Sequence, residues 1–115
     1  MYILQLIGEI DYFLTLNGVE ITDNASTKRV LTGQFNATGQ SPGIALLGQF
    51  NVSLSGFGTA TVALQRSFDN GGNWVSVESY TSDSERVGDE PEADVLYRFD
   101  CSAYTSGTIS FRLSQ

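Results

Sequence analysis

The sequence predicts an all-β protein whose strands form an antiparallel β-sandwich, of jelly-roll or immunoglobulin-like type, with a small barrel as the second choice. Three observations favour this class. Short runs alternate apolar and polar residues, and clusters of Gly, Asn and Asp separate them roughly every 8 to 12 residues. No window carries apolar residues at the spacing of an amphipathic helix. The length of 115 residues suits one domain, residues 1–115, with one core.

The first predicted strands lie in the N-terminal quarter of the chain. Residues 2–7, 12–16 and 19–22 are short apolar or alternating runs. Asn17-Gly18 joins the last two and is a hairpin signal, because both residues tolerate a positive φ. The first run lacks a basic leader and a small-residue cleavage site, so it is predicted to be a strand and not a signal peptide.

A glycine-rich break follows the next predicted strand. Residues 33–38 alternate with strand periodicity, and residues 39–43 then interrupt the pattern with two glycines and a proline. Two arrangements remain open at this point. Residues 1–47 form an N-terminal arm beside a core sandwich of residues 48–115, or they belong to the same sandwich.

The clearest alternation lies in the C-terminal half. Phe50, Val52 and Leu54 alternate with polar residues, as expected of a strand with one buried face. The segment around Ile109 and Phe111 has the same pattern. This periodicity predicts four further strands, at residues 59–68, 74–80, 95–101 and 108–113.

One local motif is specific enough to predict a geometry. Ser67, Asp69, Gly71 and Trp74 fit the pattern S-x-D-x-G-x-x-W, and the segment resembles the Asp-box of sialidases and other β-proteins. The Asp69 carboxylate can accept hydrogen bonds from turn amides, Gly71 or Gly72 can supply a positive φ, and Trp74 can pack across the turn. The motif therefore predicts a structural hairpin. A propeller would repeat it in each blade, and the chain has one copy.

Residues 81–94 are polar and acidic and contain Pro91, and they are predicted to form a long loop. Carboxylates are hard oxygen ligands, which makes calcium one interpretation of this segment. The spacing does not match a calcium-binding loop, so contact with a basic surface of a partner is the favoured interpretation and no metal is predicted. Six acidic residues fall within these positions: Asp83, Glu85, Asp89, Glu90, Glu92 and Asp94.

Charge and composition exclude several functions. The net charge of −7 opposes binding to nucleic acid and to anionic membranes, and no run approaches the roughly 20 apolar residues of a membrane span. The chain has no histidine and one cysteine, Cys101. Zinc sites, Ser-His-Asp and Cys-His arrangements and an internal disulfide are therefore unavailable. We expect a soluble protein that is not an enzyme and has no cofactor.

Candidate contact residues follow from expected exposure. Phe57 lies between two glycines at a predicted turn, where an exposed aromatic ring would suit a subunit contact. Asp83, Glu85, Asp89 and Glu90 are expected to be exposed in the acidic loop. These five residues are the predicted partner contacts.

The C-terminal three fifths of the chain resemble short β-sandwich virion proteins of tailed bacteriophages. The likeness is carried by residues 48–56, by residues 62–69 with Trp74, by residues 97–99 and by residues 111–114. It implies a capsid cement or decoration protein that stabilises the head by bridging neighbouring capsid subunits. The implied partners are the major capsid protein and copies of the chain itself, with a homotrimer favoured. The implied location is the capsid surface, after a period in the host cytoplasm before assembly.

A second function is compatible with the same residues. A tail or fibre domain, or a head-to-tail connector piece, would also use an all-β binding module without catalytic residues. Copy number in the particle separates the two, because decoration proteins approach the number of capsid sites and tail parts occur in a handful of copies.

Overall fold

The computed structural model describes residues 28–115, so the strands predicted at residues 2–7, 12–16 and 19–22 lie outside the described residues. The all-β prediction is confirmed, because this part of the chain contains strands and no helix. It accordingly holds no helix long and apolar enough to cross a membrane. The strands are β1 (Val30–Phe35), β2 (Gly39–Gln40), β3 (Ile44–Phe57), β4 (Ala60–Ser67), β5 (Val75–Tyr80), β6 (Ser84–Tyr104) and β7 (Gly107–Ser114).

The strands form one antiparallel sheet in the order β1-β7-β3-β6-β4-β5, with the short β2 paired to β6. Within residues 28–115 the sheet is open, because its end strands β1 and β5 pair with β7 and β4 respectively and not with each other. The second-choice barrel is therefore not what these residues form. Assignment to a jelly-roll or immunoglobulin-like sandwich stays a prediction.

Alternating residues of the strands build one core. Phe50, Val52 and Leu54 of β3 are at most 4 % exposed, as their periodicity predicts. The rings of Phe99 in β6 and Phe111 in β7 lie 5.3 Å apart, although these two strands do not pair. The sheet therefore curves over itself, so that side chains from distant strands pack on the same apolar interior.

The long strand β6 corrects the prediction of a loop at residues 81–94. Residues 84–90 pair with residues 48–54 of β3, whereas residues 91–94 lie opposite Leu47 alone. Pro91 lies in this bulge, where no ladder hydrogen bond requires its missing N–H. Beyond the bulge, residues 96–104 pair with β4. Pro91 and the acidic composition led to the prediction of a loop. Residues 84–90 form a strand because they pair with β3, and they have no alternating hydrophobic pattern of their own.

The N-terminal boundary of the core also differs from one of the two predicted arrangements. β3 runs from Ile44 to Phe57, across the boundary proposed at residue 47, and β1 pairs along its whole length with β7. Residues 28–47 are therefore part of the sheet and not an arm. The strand predicted at residues 33–38 begins and ends earlier, at Val30–Phe35.

Candidate functional site

The turn between β4 and β5 has the hydrogen bonds that its motif predicts. The Ser67 hydroxyl donates to Asp69 Oδ1 at 2.8 Å and accepts the Gly71 amide at 2.8 Å. Asp69 Oδ1 also accepts the Asn73 amide at 2.8 Å. Asn70 and Gly71 both have positive φ, 58° and 91°. The turn thus satisfies its own polar groups, which is a structural role.

The same contacts change the acidity of Asp69 and the position of Trp74. The Asn73 amide, the Asn73 side chain and the Ser67 hydroxyl lower the pKa of Asp69 to about 2, so the carboxylate is charged at neutral pH. The guanidinium of Arg98 stacks on the Trp74 ring at 4.3 Å from its centroid. Trp74 is half-buried and connects the hairpin to β6.

Three of the predicted acidic contacts are exposed on or beside β6. Asp83 Oδ1 accepts the Phe57 amide at 3.0 Å, and Glu85 Oε2 accepts the Ser53 hydroxyl at 2.6 Å. Asp89 is exposed as well. The structure therefore aligns these carboxylates along one strand, where a partner can reach them.

Glu90 is not an exposed contact and corrects the prediction. It is 1 % exposed. Arg66 Nη1 lies 2.8 Å from Glu90 Oε1, and the Tyr97 hydroxyl donates to the same oxygen at 2.6 Å. The Glu92 amide donates to Oε2 at 3.0 Å. Burial by itself would raise the pKa of Glu90, but the hydrogen bonds from Tyr97, the Glu92 amide and Arg66 outweigh it and lower the pKa.

Phe57 likewise differs from its predicted exposure. The residue ends β3, and its side chain is half-buried and packs against the hydrophobic core. Its ring therefore contributes to core packing and is only partly accessible to a partner. The flanking glycines in the sequence indicated a turn correctly, because the chain does reverse after Phe57 into β4.

The acidic segment does not assemble a metal site in the described part of the chain. No three His, Cys, Asp or Glu side chains of residues 28–115 converge closely enough to hold an ion. The reason is geometric. Glu85 and Asp89 lie on the same face of the strand but about 13 Å apart at about 3.3 Å per residue, and Glu90 turns inward.

A groove of about 480 Å³, not predicted from the sequence, lies between β5 and the first half of β6. Its floor is the edge of the core, with Phe50, Leu64 and Tyr97 at its base. Val77 of β5 and Val87 of β6 line opposite walls and are 50 % and 72 % exposed. The groove thus combines an apolar lining with open access to solvent.

Two ionic clusters connect the sides of this groove. Arg86 Nε of β6 lies 3.2 Å from Glu78 Oε2 of β5, and the Tyr80 hydroxyl donates to Glu78 Oε1 at 2.9 Å. The Arg66, Glu90 and Tyr97 cluster repeats this Arg-Glu-Tyr combination four residues further along β6, where Arg66 belongs to β4. Each cluster joins β6 to the β4–β5 hairpin.

Sequence reasoning missed the groove, although one signal was present. Val75 and Val77 alternate with Ser76 and Glu78, which predicts a strand with a buried apolar face. Both valines are instead about half exposed, at 52 % and 50 %. An exposed apolar strand face is typical of an interaction surface. Only the structure shows that no other segment of residues 28–115 buries these two valines.

Comparisons with known proteins add a distant structural likeness. No protein-family model matches the sequence, and no curated protein matches it. Among solved structures, the Yersinia pseudotuberculosis-derived mitogen is similar, with a TM-score of 0.49 and 13 % identity. The match covers 76 % of this chain and 84 % of the mitogen chain. A likeness at this level says nothing about function.

Proposed function

We propose that this chain is a structural protein of a tailed-phage particle, a cement or decoration protein that binds the capsid surface and bridges neighbouring capsid subunits. The observation that carries the proposal is the acidic first half of β6 and the bulge after it. Five carboxylates here are exposed: Asp83, Glu85, Asp89, Glu92 and Asp94.

The charge pattern of this acidic segment suits a basic partner surface. Arg86 is its one basic residue, and its guanidinium is engaged by Glu78. Exposed charges of one sign direct encounter with an oppositely charged surface and favour the correct orientation. Residues 48–115 resemble phage virion proteins, which supports a phage particle as the site of action. The acidic segment, residues 83–94, lies within this region.

Copy number tests the cement assignment. Quantitative mass spectrometry of purified virions should find the protein at a copy number close to that of the capsid sites, relative to the major capsid protein. A handful of copies per particle would overturn the cement assignment and favour the tail, fibre or connector module.

Charge neutralisation tests the acidic segment. The double variant Glu85→Gln and Glu92→Gln changes the net charge from −7 to −5. The matched control, Ser102→Lys and Thr105→Lys, makes the same change at exposed positions outside the segment. We expect the first variant to bind capsids lacking the protein several-fold more weakly at low salt, with a smaller difference at high salt. Equal weakening in both variants would contradict a local role for the segment.

A further inference from the structure

Two free strand edges face each other across the groove between β5 and β6. Within residues 28–115, β5 pairs with β4 alone, and residues 84–90 pair with β3 alone. β5 and β6 do not pair, yet Arg86 and Glu78 meet across the gap through their long side chains. Adjacent strands lie about 4.8 Å apart, so two strands separated by one missing strand lie about twice that distance apart.

The groove offers an added strand both kinds of contact that it needs. The free edges present unpaired backbone amides and carbonyls, which is the arrangement that accepts an extra strand. The apolar walls formed by Val75, Val77 and Val87 are at least half exposed. Covering them would remove apolar surface from water, at about 25 cal/mol for each Å² buried.

We propose that residues 2–7 of this same chain, Tyr-Ile-Leu-Gln-Leu-Ile, dock in the groove as an additional strand. The segment is uncharged, and its polar side-chain groups are the Tyr2 hydroxyl and the Gln5 amide. Side chains alternate along a strand, so a docked strand would place Tyr2, Leu4 and Leu6 on one face and Gln5 on the other. The first of these faces would be directed to the groove floor. Residues 12–16 are a weaker candidate, because the Asn17-Gly18 signal already pairs them with residues 19–22 in the sequence-based prediction.

The described chain begins close enough for this segment to reach the groove. The Arg29 amide donates to the Gln115 carbonyl, and Val30 then starts a row across the sheet. In that row Val30 pairs with Ser114, Ser114 with Asn51, and Asn51 with Val87 of the groove wall. Three strand spacings make about 14 Å. Outside the predicted hairpin of residues 12–22, the connection consists of residues 8–11 and 23–27, and about nine extended residues span up to roughly 30 Å. Tethering by so short a connection favours docking within one chain.

Amide hydrogen exchange of the full chain by NMR tests the proposal. We expect edge amides of residues 75–79 and 86–89 to be protected in the wild type. Leu4→Asp places a charge on the docking face and should accelerate their exchange at least about tenfold, while amides between β1 and β7 stay protected and show that the sheet is intact. Gln5→Asp places the same charge on the opposite face and should leave the exchange near the wild-type rate.

Three outcomes would overturn the proposal. They are unprotected edge amides in the wild type, equal acceleration by both variants, and protection that rises with protein concentration, which would mean that a second copy supplies the strand. The measurement uses the isolated protein and no capsid. Its failure would therefore leave the cement proposal intact, and failure of the cement proposal would leave this one intact.

Discussion

Glu90 shows how one side chain can mislead a sequence argument. Its position in an acidic run predicts a solvated carboxylate, yet Arg66, Tyr97 and the Glu92 amide enclose it. A buried charge is tolerated only when it is paired and hydrogen-bonded, and Glu90 meets both conditions. Burial is the main cause that raises the pKa of Tyr97 to about 12, and the hydrogen bond to Glu90 is the second cause. The phenol therefore remains a donor at neutral pH.

Glu90→Gln should lower the free energy of unfolding at pH 7 by about 1 to 2 kcal/mol. This is less than expected for a fully buried ion pair, because the Arg66 side chain is 34 % exposed and solvent screens its charge. The pKa of Glu90 is lower in the folded state, so its carboxylate stabilises the protein above the usual value of 4.5 and loses this effect as the pH falls through the folded value. Urea unfolding from pH 7 to pH 3 should show a shallower loss of stability in the variant.

The control for Glu90→Gln is Glu92→Gln, a change at an exposed position of the same bulge that should alter stability by no more than about 0.5 kcal/mol. An identical acid profile for wild type and Glu90→Gln would show that the Arg66, Glu90 and Tyr97 cluster does not contribute to stability as argued.

At the scale of elements, β6 joins the parts of the sheet. Its first half pairs with β3. Beyond the bulge at residues 91–94, residues 95–97 still pair with β3, and residues 96–104 pair with β4 on the other side. Gly88 lies in the first half, opposite Phe50 in the ladder, and the Phe50 ring covers the space where a Cβ would lie. The absence of a side chain at Gly88 is therefore part of the packing of this strand pair.

Gly88→Ala should lower the free energy of unfolding by about 1 to 3 kcal/mol, because the added methyl group meets the buried Phe50 ring and forces it to move. In a Phe50→Leu background the added cost should be smaller, and a double-mutant cycle by urea unfolding measures the difference. Gly43→Ala is the control, since its nearest contact would be an ordinary 3.4 Å to Trp74. Additive effects of the two substitutions would contradict the proposed contact.

At the scale of the whole molecule, one curved sheet encloses a single core. Cys101 is part of that core and is 1 % exposed. Burial, and secondarily the charge of Asp100, raise the pKa of its thiol, so both accessibility and the thiolate fraction are low in the folded state. Its reactivity is thus a probe of how often the sheet opens.

Cys101 should react slowly with a thiol reagent in the native protein and quickly in denaturant. Leu54→Ala removes a core side chain that is 1 % exposed and should cost about 2 to 5 kcal/mol. The native labelling rate should then rise about 30-fold or more, since each 1.4 kcal/mol is a factor of ten. Leu47→Ala, at a position that is 56 % exposed and lies outside the groove, should leave the rate nearly unchanged. Fast labelling of the folded wild type would contradict the expected protection.

The sequence by itself determined the fold class, the core positions of β3 and β7, and the hairpin around Asp69. These features depend on local rules, namely the two-residue period of a strand and the turn preferences of Asn and Gly. Only the tertiary structure decided that residues 84–90 form a strand, that Glu90 is buried, and that β5 and β6 leave a groove. Each of these depends on a partner distant in sequence, β3, Arg66 or the opposite free edge, and no local pattern records which distant segments meet.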